Sequence, residues 1–158
     1  MDAVAWAQAI EASALAAWMR SGYAYPVANV LHLFGMALVV VPMLLLDLRL
    51  LGFGGAFALT ATKRLLTRCA LLGASLAVAS GLAMFASDAA ALTGNPAMQT
   101  KLALLAIALL NAVAFRFMWA RRISGHTLRL PALARTQLVL SLALWLAIPT
   151  LGRWIAYV

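Results

Sequence analysis

The chain has 158 residues, 66% of them apolar and only 10% charged, with a mean hydropathy of +0.99. A water-soluble domain is about half apolar and about a quarter charged, and one of this length exposes too much of its area to hide such a composition. Twelve Lys and Arg stand against four Asp and Glu, a net +8, but the cations gather at the ends of apolar runs. That pattern excludes an ordinary soluble enzyme, a disordered tail and a nucleic-acid binder. It points to one integral membrane domain over residues 1–158.

Residues 2–19 read as a helix of mixed character. Val4, Trp6, Ile10, Leu15 and Trp18 are apolar, while Asp2, Gln8, Glu11 and Ser13 are polar. Such a segment suits the membrane interface, with its tryptophans at headgroup level. It holds no Lys or Arg ahead of an apolar run, so no secretory leader is expected. Ser21-Gly22 breaks the helix, and Pro26 suits the first turn of the next.

Four apolar runs follow, over 24–46, 68–87, 101–118 and 133–157. Each matches the ~20 residues needed to cross ~30 Å of hydrocarbon at 1.5 Å per residue. The expected fold is all-α: an integral membrane four-helix bundle with an N-terminal interfacial amphipathic helix. Lone Cys69 permits neither an intramolecular disulfide nor a Cys-x-x-Cys pair. Arg49, Lys63, Arg64, Arg68, Arg116, Arg121, Arg122, Arg129 and Arg135 fall on one side of the membrane, and Arg20, Lys101 and Arg153 on the other. Nine against three puts loops 47–67 and 119–132 in the cytoplasm.

His32 lies about six residues past Pro26, roughly 9 Å into the first span. An ionisable side chain in hydrocarbon is a functional hypothesis by default. Gly35 and Ala28 are small neighbours on its face and leave room for a flat ligand such as a porphyrin, to which neutral imidazole is a common axial ligand. The plainer alternative is a hydrogen bond to a neighbouring helix. Arg20, Lys101 and Arg153 mark the opposite side's helix ends and suit either haem propionates or lipid headgroups. Gly73, Ala77 and Gly81 repeat at the spacing that lets membrane helices approach closely. Met84, one turn beyond, is a candidate sulfur ligand. Asn111 sits mid-span, where an amide must be bonded. Asp47 needs a partner or the interface, with Arg49 and Arg116 as candidates. The spans hold no acidic series for a proton path, and there is no phosphate loop, nucleophile elbow or two-histidine metal motif.

The stretches Pro26-Val27-Ala28-Asn29-Val30-Leu31-His32-Leu33-Phe34-Gly35 and Leu46-Asp47-Leu48-Arg49-Leu50-Leu51-Gly52 resemble a bacterial family of uncharacterised four-helix inner-membrane proteins. So do Ser80-Gly81-Leu82, Asn95-Pro96 with Lys101-Leu102, Asn111, and the ending Gly152-Arg153-Trp154-Ile155-Ala156-Tyr157. The resemblance runs from about Ser13 to Val158. More distantly, the order of these motifs is similar to the haem b-binding membrane protoporphyrinogen oxidase family and to the copper-resistance D membrane family. That similarity implies His32 as the haem ligand and Lys101 as a functional lysine. The chain departs from it at Asn111, where a second histidine is expected.

The combined expectation is an inner-membrane protein that binds haem b and works in electron transfer or in oxidation of a lipophilic substrate. His32 is the metal ligand, and Gly35, Met84, Lys101, Arg20, Arg153 and Asn111 form its surroundings. Two alternatives stand beside it. One is a non-catalytic membrane subunit that docks a partner. The other is a copper-handling protein using Met36, Met84 and Met98 with His32. The expected partners are the lipid bilayer, a quinone or redox protein, and a second copy of the chain, with no nucleic acid.

Overall fold

The computed structural model describes residues 3–55, 58–119 and 130–154. The described residues are almost entirely helical and contain no strand. The order is α1 (Ala3–Glu11), α2 (Ala14–Met19), α3 (Ala24–Leu51), α4 (Leu59–Ser87), α5 (Ala89–Gly94), α6 (Pro96–Trp119) and α7 (Ala132–Trp154). Helices α3, α4, α6 and α7 are long and apolar enough to cross a membrane. They form the expected all-α four-helix membrane bundle.

Helix boundaries depart from the apolar runs in a consistent direction. α3 continues to Leu51 and α4 begins at Leu59, so the connection is short and Arg49, Lys63, Arg64 and Arg68 lie on helices. Hydropathy marks the stretch that suits oil, whereas a helix continues past the oil wherever its backbone bonds are kept. α3 stops at a glycine cap: Gly52 has φ 111°, its N–H donates to Arg49 O, and Phe53 N–H donates to Leu48 O. That pairing satisfies the last carbonyls and demands a left-handed residue. Residues 155–157 of the fourth run and residues 120–129 between α6 and α7 lie outside the described residues.

The N-terminal segment is two helices instead of one. Ser13 interrupts it and caps α2 by accepting from Ala16 N–H. α1 packs on α5 and α2 on α4, with Trp6 against Phe85 at 6.3 Å. Arg20 closes this end by donating to Ser87 O and Glu11 O, and the Glu11 carboxylate accepts from Ala90 N–H at the start of α5. Asn95 caps α6 through Ala97 and Met98 N–H, with Pro96 as its first residue.

The spans pack as two antiparallel pairs, α3 with α4 and α6 with α7, joined where α3 meets α7. α7 is the most buried of the four. Val39, Ala108, Leu144, Trp145 and Ile148 form a core cluster, and Leu50, Trp119, Leu130, Ala134 and Leu138 form another toward the Gly52 end. Large apolar side chains such as Phe34, Leu72, Leu110 and Phe117 stay exposed, as lipid contact allows and water does not.

Between α3 and α4 the backbones touch. A Cβ on Gly73 would lie 2.6 Å from Leu38 Cβ and 2.7 Å from Gly35 O, and one on Gly35 would lie 2.6 Å from Ala77 N. Forcing one added methyl group into such a contact costs about 1–3 kcal/mol. Accordingly, Gly73→Ala and Gly35→Ala each lower stability by about 1–3 kcal/mol in denaturant unfolding followed by circular dichroism in detergent. Gly94→Ala, where a Cβ meets nothing within 4 Å, stays within about 0.5 kcal/mol of the parent.

Candidate functional site

The glycine contact sets the spacing at which a side chain of α3 can reach the backbone of α4. His32 lies one turn from Gly35 and uses that spacing. Its Nδ1 is 2.8 Å from Ala77 O. A carbonyl only accepts, so Nδ1 carries the proton and donates. Ser80 Oγ lies 3.3 Å from the same nitrogen, but the hydroxyl proton goes to Leu76 O at 2.6 Å. Ser80 is therefore a second acceptor at Nδ1. In the neutral ring this leaves the lone pair on Nε2, which makes no hydrogen bond among the described residues.

The ring rests against bare backbone. A Cβ at Gly81 would stand 3.0 Å from His32 Cε1 and 3.3 Å from Nδ1. Lys101, from the first turns of α6, lies over a second glycine: a Cβ at Gly152 of α7 would be 3.3 Å from its Nζ. One end of the bundle thus holds a neutral nitrogen donor and a cation, each against a glycine. Such a pair offers a metal ligand and a counter-charge for an anionic group.

The other expected site residues fall in different places. Gly35 faces α4, which occupies the room beside it, so it tightens a helix contact and leaves no cleft there for a flat ligand. Met84 follows Gly81 by three residues, on the same side of α4. Arg20 is engaged by Ser87 O and Glu11 O. Arg153 lies in the last turn of α7 and is exposed. Asn111 donates to Gln137 O at 3.0 Å. It lies ten residues, roughly 15 Å, along α6 from Lys101, so it ties α6 to α7 and is not beside His32.

The tie between Trp119 and Gln137 is not anticipated in the sequence. Trp119 Nε1 donates to Gln137 Oε1 at 2.7 Å; a lone glutamine in an apolar helix was the available signal. Asp47, expected to need a partner such as Arg49 or Arg116, is 4% exposed and lies near the Ser141 side chain of α7, and its Oδ2 has no partner among the described residues. No protein family, curated protein or solved structure was found to match the chain.

Removing the donor from a buried carboxylate costs about 1–3 kcal/mol. Ser141→Ala is expected to destabilise the bundle by that amount in detergent unfolding. Combined with Asp47→Ala, the two losses should fall short of their sum by at least about 0.5 kcal/mol. Strict additivity would contradict the contact.

Proposed function

We propose that the protein is a membrane carrier of b-type haem, acting in electron transfer or in oxidation of a lipophilic substrate such as a quinol. The observation that supports this most is the state of His32. A ligating histidine nearly always donates its other ring N–H to a carbonyl or carboxylate, which fixes the tautomer and strengthens the donor nitrogen. Ala77 O provides that bond and Nε2 is left as the donor. His32 belongs to no group of three His, Cys, Asp or Glu among the described residues. An ion held by protein alone needs three or four such ligands, whereas a porphyrin brings four nitrogens and asks the chain for an axial one. His32 supplies one such nitrogen.

Haem, when bound, supplies one-electron redox chemistry. His32 would hold its iron, with Ala77 O orienting the ring and the bare backbone at Gly81 letting the imidazole lie close to α4. Lys101 would pair with a propionate carboxylate, and the apolar spans would keep water from the donor. Met84 is the candidate for a second ligand on α4. Arg153 lies at the same end, and Arg20 serves the cap of the bundle. The resemblance to the haem-binding membrane family agrees with His32 and Lys101. The cation count supports a bacterial inner-membrane location with the Gly52 end in the cytoplasm.

A second reading has its own observation. The His32–Ala77 bond and the Gly35–Gly73 contact together tie α3 to α4, which suits a non-catalytic subunit whose histidine only holds the bundle. An absorption spectrum separates the two. Protein purified from haem-supplemented cells should show a Soret band and, on reduction, b-type bands; His32→Ala should lose them while keeping its helical circular dichroism. Lys101→Met should retain the bands but release haem about ten- to a hundredfold faster, since a charge-assisted bond is worth about 1.5–3 kcal/mol. A colourless, folded parent protein would overturn the haem reading in favour of the scaffold.

A further inference from the structure

The first turns of α4 carry Thr60, Lys63, Arg64, Thr67 and Arg68. Spacings of three, four, seven and eight residues put all five on one face of a helix. Arg64 is nine residues from Gly73, two and a half turns, so the face points away from the contact with α3. Thr60, Arg64 and Arg68 are exposed. None of the three cations has a hydrogen bond or ion pair among the described residues, in contrast to Arg20. Two adjoining shallow grooves of about 430 and 310 Å³ run along the face, and both are lined by Thr60, Arg64 and Arg68.

The level of this face in a bilayer follows from length. α4 has 29 residues and is roughly 43 Å long, against ~30 Å of hydrocarbon. About nine residues therefore extend beyond the oil. With Ser87 at the opposite surface, they are residues 59–67, which carry Thr60, Lys63, Arg64 and Thr67, and Arg68 follows one residue further in, within snorkelling reach of the headgroups. Three unpaired cations and two hydroxyls at headgroup depth match the chemistry of a phosphodiester: charge for its oxygens and hydroxyl donors for its ester edge. We propose that this face binds the headgroup of an anionic phospholipid.

The test is native mass spectrometry of the full chain in detergent, with dioleoyl phosphatidylglycerol or dioleoyl phosphatidylcholine added in equal amounts. The parent should retain the anionic lipid at least about fivefold better, since each cation near a surface adds measurable attraction. Lys63→Gln/Arg64→Gln/Arg68→Gln should bring the two lipids level, while Arg116→Gln/Arg135→Gln, which removes charge from α6 and α7, should keep most of the preference. Should the triple variant fail to fold, Arg64→Gln alone should lower the preference at least about twofold. Inorganic phosphate in large excess should leave it unchanged. Equal retention by the parent, displacement by phosphate, or an equal loss in both multiple variants would each overturn the proposal.

Discussion

The structure depends on the approach of α3 to α4. Gly35 and Gly73 place the two backbones in contact, and at that spacing the His32 imidazole reaches a main-chain carbonyl. The order of magnitudes assigns the roles. A polar bond between membrane helices averages about 0.6 kcal/mol, less than the 1–3 kcal/mol that one added methyl group costs in a tight contact. Glycine therefore fixes the geometry, and the hydrogen bond fixes the ring within it. Because a carbonyl can only accept, the same bond decides which imidazole nitrogen keeps its lone pair.

The rest of the bundle divides into two ends with different work. Around His32, glycines border the ring and the Lys101 ammonium. Toward Gly52, Asn111 and Trp119 both bond Gln137, while the buried Asp47 Oδ2 has no partner among the described residues. In oil an unanswered polar group is costly. His32 has one nitrogen bonded and the other open among the described residues, whereas the bonded amides brace α6 against α7. The cations at the start of α4 lie outside this scheme, beyond the oil, where charge meets headgroups.

Hydropathy made the four spans legible, because composition and length are what the bilayer selects. It understated α3 and α4, whose charged turns leave the hydrocarbon without ending the helix. The six-residue α5 and the break at Ser13 escaped notice because a single turn has little periodicity. His32 was recognisable as an ionisable residue in an apolar run, and Lys101 as a cation at a span end. Which side of His32 is open was not. A glycine one turn away reads equally as a cleft or as a contact, and only the partner helix decides; at Gly35 it is a contact. Arg20 looked available as a free cation, but its acceptors are main-chain carbonyls, Glu11 O and the distant Ser87 O, that only the fold brings to it. Asn111 was rightly expected to need a partner, and the partner, Gln137, is a tertiary fact.

The central claim concerns the protonation of one ring, and nitrogen NMR reads it directly. In protein labelled with ¹⁵N-histidine, with the His32 signals identified by their loss in His32→Ala, the account predicts a protonated Nδ1 coupled to the ring carbons and a bare Nε2 before any ligand is added. A neutral ring protonated at Nε2 instead would contradict it, since the Ala77 bond would be absent and the donor nitrogen would be turned toward α4.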